Sequence, residues 1–367
     1  CYFVSIPYYG KTHSINNREW DNVFDLYPDY NRYLRARSIP VHYPEKHPAE
    51  SLCAGFSKIP GPDFVEVLHG NLVTSDLENL ARNKNPFLIF TSFEAPHSPW
   101  TLPEEFRHFY HPEKVKLPQV PEYDKFNKPD YRVRYHEKRS QAAPADDKLI
   151  HAIAIYHALT SIVDEQIGRI VETLERTGLD ENTCIIFMSD HGDHLGNHRA
   201  MGKCLSVEED LIHVPLILYS PAVFKSRISN TLAESIDIFP TIMELAGIKA
   251  PAGLQGASLL PHALGQKNAP ERKTAFCEEK NGTWPGHICA KNRDFKLIIN
   301  ENGFEELYKI SEDPHEWKNL AAQTEYNESK RELKDELLRF HFKNIDQAKI
   351  REVDFVTRFM EPGYFRY

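Results

Sequence analysis

Apolar positions along the chain fall into two kinds of run. Short continuous runs are bounded by Pro, Gly and charged residues: Tyr2–Ile6, Pro86–Phe93, Cys184–Met188 and Val214–Tyr219. Runs of four to eight residues with β-branched or aromatic centres predict buried strands. The second kind is periodic. Ile155, Leu159, Ile162, Val163, Ile167, Ile170, Val171 and Leu174 recur at three- and four-residue steps. That spacing predicts a helix from Leu149 to Leu174 with one buried face, stopped by Gly178. A shorter helix is predicted from Ile236 to Ala246, ending at Gly247. Helix, strand, loop and strand in this order indicate α/β layering.

Between these elements the pattern lapses. Residues 14–80 are polar and aromatic with no long periodic segment. Trp20, Tyr27, Tyr30 and Tyr33 there fit either a cleft lining or the packing of an irregular insertion. Residues 101–147, rich in Pro, Lys, Tyr and Asp, read as a long surface excursion of the kind that carries specificity. After Gly265 the texture changes. A polar linker, 266–272, leads to short strand candidates at Thr274–Glu278, His287–Lys291 and Phe295–Asn300, then a polar helix near Ser329–Phe342. The division expected is a main α/β domain over 1–265 and a small α+β domain over 266–367.

Composition changes little. With 367 residues, 41% hydrophobic and 26% charged, the chain reads as ordinary globular protein. A net charge of −9 argues against general nucleic-acid binding. No apolar run approaches a membrane span. Six cysteines without a CxxC indicate neither a zinc ribbon nor a disulfide framework. Two N-x-S/T triplets, at Asn281 and Asn327, fix no compartment.

The chemistry is concentrated at the predicted strand ends. The stretch Ser189–Lys203, SDHGDHLGNHRAMGK, follows one of them. Open α/β sheets place ligands outside the carboxyl ends of their strands. Asp190 and His191 are adjacent oxygen and nitrogen donors suited to a divalent cation. Lys203 is a compact cation for an anion. The glycines permit tight turns and close backbone approach to a ligand. His97 lies between two prolines in Pro96-His97-Ser98-Pro99, after the 86–93 run. Lys11 and His13 follow the Tyr2–Ile6 run. Three strand ends that each deliver a histidine predict one site on one sheet edge.

These motifs resemble the formylglycine-dependent sulfatases of the alkaline phosphatase superfamily. Gly10-Lys11-Thr12-His13 matches the family's GKxH, Pro96-His97-Ser98-Pro99 its PHxP and Ser189-Asp190-His191-Gly192 its SD(N/H)G. Lys203 stands where the family has a sulfate-binding lysine. Ser235–Thr241 resembles its helix opening and Leu307–Pro314 its late LYDL..DP segment. The resemblance implies a mixed, mostly parallel central sheet flanked by helices, with a small C-terminal α+β domain. It implies metal-assisted hydrolysis of a sulfate ester, the substrate being a small molecule or a saccharide. Lys11, His13, His97 and Lys203 would then be catalytic, and Asp190 and His191 would bind the metal, calcium foremost, with Mn or Mg open. His198 and Arg199, with His194 beside them, would contact the sugar, or else are solvated loop residues.

The family's CxPxR or SxPxR nucleophile motif and its early Asp-Asp pair are absent from the chain. The expectation is that formylglycine belongs to a preceding segment or a partner chain that completes the site. A phosphonate monoester or phosphodiester hydrolase of the same superfamily, or a non-catalytic carbohydrate- or sulfate-binding relative, are the alternatives.

Overall fold

A computed structural model describes residues 8–10, 23–40, 54–83, 85–133, 143–203, 206–279 and 285–359. The predicted strand at Tyr2–Ile6 lies outside the described residues, as do Trp20, Lys11 and His13.

The fold is mixed α/β. β1 (Tyr8–Gly10) pairs in parallel with β2 (Val23–Asp25) on one side and β4 (Phe90–Thr91) on the other. β3 (Ala54–Ser57) pairs in parallel with β5 (Trp100–Pro103). β6 (Ile185–Met188) pairs antiparallel with β7 (Leu216–Tyr219). The 86–93 run, predicted as one buried strand, is half exposed. Phe87 and Ile89 turn inward against Val73 and Leu77, while Leu88 and Phe90 face out. That is the alternation a pleated chain imposes.

The long helix α3 (Asp146–Thr177) is the centre of the main core. Its Ile155, Leu159 and Ile162 bury against Trp100, Leu102, Phe64 and Met201. Gly178 closes it in the left-handed region at φ +70°, where Leu179 N–H reaches back to the Leu174 carbonyl at 3.0 Å.

Two helices occupy the region where no periodic segment was expected: α1 (Leu26–Ala36) and α2 (Val65–Asn83). The inward stripe of α2 is Val65, Glu66, His69, Gly70, Val73, Leu77 and Leu80. It has helical spacing, but three of its seven members are an acid, an imidazole and a glycine, so a hydrophobic pattern does not reveal it. Tyr30 and Tyr33 donate their hydroxyls to the Asp63 carbonyl and carboxylate at 2.8 and 2.5 Å, which is packing of the insertion.

Residues 101–133 are more than a surface excursion. Phe106, Phe109, Tyr110, Val115 and Leu117 lie against the main core, and Lys128 and Arg132 are buried.

Helix α4 (Ile238–Leu245) follows Ser235–Asp237. Then comes a four-stranded antiparallel sheet in the order β11–β10–β9–β8, formed by β8 (Ala275–Glu279), β9 (His287–Lys291), β10 (Phe295–Asn300) and β11 (Glu305–Lys309). Strand alternation gives this sheet two different faces. One carries Ala290, Leu297 and Leu307 against Leu333 and Leu337 of α5 (Asn327–Phe359). The other carries Cys289, Ile298 and Tyr308 against Val207, and with them Lys296 and Glu306, wholly buried. No helix among the described residues is long and apolar enough to cross a membrane.

Candidate active site

β6 ends at Met188 and releases the motif loop. Ser189 Oγ donates to the His191 carbonyl at 2.8 Å, closing the first bend. Gly192 is required here by space. Its N–H donates to the Leu211 carbonyl at 2.8 Å, and a Cβ on it would stand 1.9 Å from the Asp210 carbonyl oxygen. The close approach that this glycine permits is therefore to backbone, whereas the motif had suggested approach to a ligand.

The loop then doubles back. Asp193 Oδ1 accepts the N–H groups of Leu195 and Gly202, each at 3.0 Å. His194 N–H donates to the Gly202 carbonyl and Gly196 N–H to the Ala200 carbonyl. Met201, 1% exposed, anchors the returning limb in the main core, a burial that contributes about 1.5–3 kcal/mol. The path brings Lys203 Nζ to 2.5 Å from His191 Nε2.

The Pro96–Pro99 turn meets the loop from the end of β4. The His97 and His191 rings lie edge to face with centroids 6.3 Å apart. His97 Nδ1 donates to the Ser98 carbonyl at 2.6 Å, and its backbone N–H donates to the Glu94 carbonyl at 2.8 Å. Trp100 Nε1–H donates to the Pro96 carbonyl at 2.7 Å and holds the turn from behind. Both X–Pro bonds of the turn, Ala95–Pro96 and Ser98–Pro99, are cis.

The structure thus assembles His97, Asp190, His191 and Lys203 from two strand ends. The donor set suits a divalent cation. The Gly192 carbonyl, 2.7 Å from His191 Nδ1, can only accept, so it fixes the proton on Nδ1 and leaves the Nε2 lone pair to the Lys203 ammonium. Metal-binding histidines share that tautomer, and a cation at Nε2 would take the place now held by Lys203 Nζ. Asp190 Oδ2 lies 3.7 Å from that nitrogen. No group of three or more His, Cys, Asp or Glu side chains converges in ligand geometry among the described residues. Asp190 and His191 accordingly present a partial set.

His198 and Arg199 part company. Both adopt left-handed φ, at 50° and 55°, and Leu195 does so at 45°. Such conformations cost about 1–3 kcal/mol each and persist where the surroundings impose them. The His198 ring turns inward to Asp124 Oδ1 at 3.0 Å. Burial and nearby Lys128 push its pKa below the ordinary range, against the pull of Asp124. His194 is buried beside it, with ring centroids 5.8 Å apart. Arg199 is exposed.

Behind the loop lies a group of charges that the sequence did not reveal. Asn197 donates to Asp210 Oδ2 and accepts from Trp317 Nε1–H at 2.8 Å. Glu208, buried, receives Arg132 and Lys128. Arg132 also binds Glu306, and Lys296 binds Glu209 and Glu316 at 3.1 and 2.8 Å. Burial opposes ionisation of Glu208, but Arg132 and Lys128 outweigh it and hold its carboxyl well below the usual range. Burial pushes Glu316 up to about 7, Lys296 and Lys128 countering only in part. Glu66, buried in the first turn of α2, was likewise not apparent from the sequence.

The Sulfatase family profile matches residues 8–248, and a profile described as N-sulphoglucosamine sulphohydrolase, C-terminal, matches residues 196–343. The chain is 32% identical over 274 residues to an uncharacterized sulfatase of Escherichia coli, YidJ, covering 73% of this chain and 53% of that protein. It is 29% identical over 302 residues to a Delta 4,5-hexuronate-2-O-sulfatase of Bacteroides thetaiotaomicron, covering 77% and 62%. The chain thus spans between half and two thirds of the length of these relatives. Among solved structures, a phosphonate monoester hydrolase from Silicibacter pomeroyi shares the fold, with a TM-score of 0.75, 21% identity and coverage of 89% of this chain and 72% of that one. A putative sulfatase from Bacteroides thetaiotaomicron aligns with a TM-score of 0.67 and 24% identity, over 97% of this chain and 74% of that one. With the family profile matched from the first described strand through α4, and the motif loop and the His97 turn both inside that span, the chain belongs to the sulfatase family.

Proposed function

We propose that the polypeptide carrying this chain hydrolyses a sulfate ester, and that the substrate is a sulfated saccharide. The observation that carries the reading is the meeting of Lys203, His191 and His97 on one side of the motif loop. Sulfate-ester hydrolysis develops negative charge on the sulfuryl oxygens and on the leaving oxygen. Fixed cations in a water-poor site stabilise that charge, usually as the largest single term. Lys203 faces a sulfuryl oxygen. His97, with Nδ1 committed to the Ser98 carbonyl, presents Nε2 to the leaving oxygen and hands it a proton when protonated. Lys203 is the other candidate donor. Asp190 and His191 would hold a divalent cation, calcium foremost, which would supply further charge stabilisation. Lys11 and His13, outside the described residues, take the resemblance's roles of anion ligand and base. The attacking group is a formylglycine by the same resemblance, and no motif of this chain supplies it.

The saccharide half rests on the relatives named above. Exposed Arg199 is the side chain of the loop tip available to a sugar carboxylate or hydroxyl. The same cluster accommodates a phosphonate monoester, whose charged oxygens occupy similar positions. Rates on 4-nitrophenyl sulfate and on a phenyl phosphonate monoester, measured on the same preparation, separate the two readings. The sulfate ester should react with the higher kcat/KM; the reverse ranking would assign the phosphonate activity. Failure to turn over either substrate would leave a binding role.

A further inference from the structure

Glu66 lies in the first turn of α2 and is 1% exposed. Its Oε1 accepts the Ala95 N–H at 2.8 Å. Its Oε2 is buried and meets no hydrogen-bond donor among the described residues. An acid enclosed this way costs stability that an apolar side chain of similar volume would not. That hydrogen bond goes to the residue that opens the Pro96–Pro99 turn, and the backbone N–H groups of Glu94 and of Glu66 itself also favour the carboxylate. From Ala95, the chain reaches His97, whose N–H is tied to the Glu94 carbonyl. Trp100 holds the far side through the Pro96 carbonyl. The turn is therefore pinned at its rear by the indole and at its entry by the Glu66 carboxyl. His69, one turn further along α2, lies against Phe93 with ring centroids 6.3 Å apart, so the same helix face supports the approach to the turn.

We propose that Glu66 is a positioning residue. Through the Ala95 amide it fixes the turn that holds the His97 imidazole beside His191. The proposal rests on the proton-donor role given to His97 above. Orientation of a reacting group is worth large factors, and a displacement of about 1 Å costs up to about 10²-fold in rate.

The test is a double-mutant cycle in the full-length polypeptide, with an alkyl or saccharide sulfate whose leaving group needs protonation. Glu66→Ala should lower kcat by about 10-fold or more while KM changes little. Glu66→Gln keeps a carbonyl acceptor and should recover most of the rate. In a His97→Ala background, Glu66→Ala should change kcat by less than about 2-fold, because residues that act through one another are not additive. Additive losses, or Glu66→Gln as impaired as Glu66→Ala, would overturn the proposal. Circular dichroism melts show whether each variant folds, and the isosteric Gln variant keeps the test open if Ala does not. A wild-type protein without sulfatase or phosphonate hydrolase activity would overturn the proposed function instead. Hydrogen exchange at the Ala95 amide then decides the role of Glu66 without any turnover. Exchange faster in Glu66→Ala but not in Glu66→Gln supports the anchor, and unchanged exchange in both refutes it.

Discussion

The motif loop carries five histidine and aspartate donors that a sequence cannot rank, and the structure separates them by backbone path. Asp193 is consumed by two backbone N–H groups, whereas Asp190 Oδ2 stands near His191 Nε2. Asp190→Ala should therefore lower metal content as well as rate, since affinity of a hard cation follows carboxylate count. His97→Ala should leave metal content near that of the wild type and lower turnover by about 10²–10⁴-fold. Metal analysis of the two purified variants, alongside rates on good and poor leaving groups, checks both. The His97 loss should shrink for nitrophenyl sulfate, which needs little protonation to depart.

Glu66 also carries a pH signature. Burial pushes its carboxyl from an ordinary 4.5 up to about 7. Between those values the folded chain keeps a proton that the unfolded chain has released, so stability falls as pH rises. The contribution is present in full below the unfolded pKa and is lost as pH rises through the folded one, by up to about 1.4 kcal/mol per pH unit. Glu66→Gln cannot titrate. Melting temperatures should show the wild type losing stability relative to this variant between about pH 5 and pH 7. Parallel curves would mean that Glu66 is already ionised in the fold.

At the scale of elements, the entry to α4 shows how one residue organises a segment. Asp237 is fully buried and accepts from Arg272 at 2.5 and 2.7 Å, from Ala257 N–H and from Glu234 N–H. Glu234 and Asp237 complete a reciprocal capping box. Thr241 extends the arrangement by bonding the Asp237 carbonyl and receiving Leu259 N–H. The acid thus joins α4, the 257–259 segment and the stretch before β8. Asp237→Ala leaves Arg272 without its closest counter-ion, and loss of one partner of such a pair costs about 3–5 kcal/mol when buried. Arg272 keeps some solvent contact, so the lower end applies. Denaturant titration should show the loss, with less effect from Asp237→Asn.

For the whole molecule, the decisive feature is how the C-terminal sheet meets the main body. One face is an ordinary apolar contact with α5. The other is ionic: Lys296, Glu306, Glu209, Glu208, Arg132 and Lys128 are buried together, and Trp317 reaches from the same region to Asn197 in the motif loop. A junction of this kind stabilises only when complete, because each remaining charge is stranded if its partner goes. Glu208→Ala leaves Lys128 and Arg132 to share Glu306 as their remaining carboxylate. It should lower stability by about 3–5 kcal/mol and shift one cooperative transition that includes the motif loop. Two separated transitions in calorimetry would show that sheet and loop unfold independently.

Sequence by itself determined the outline. The three- and four-residue period of 149–174 specified α3, since burying one face of a helix demands that spacing. Compact apolar runs indicated β6 and β7, and the ordered motifs placed the chain's chemistry at the ends of strands and pointed to its family. Helix α2 stayed hidden because its inward stripe holds Glu66, His69 and Gly70, residues whose burial depends on partners far along the chain. The 101–147 stretch read as a surface excursion for the same reason: Lys128 and Arg132 within it are buried by Glu208 and Glu306, which lie 80 and 174 residues away. Within the loop, the donors of SDHGDHLGNHR were legible as chemistry but not as geometry. His191 faces His97 and Lys203, and His198 faces inward to Asp124. Identical side chains seven positions apart acquire opposite surroundings because the backbone between them reverses through left-handed turns, and only the packed fold sets that path.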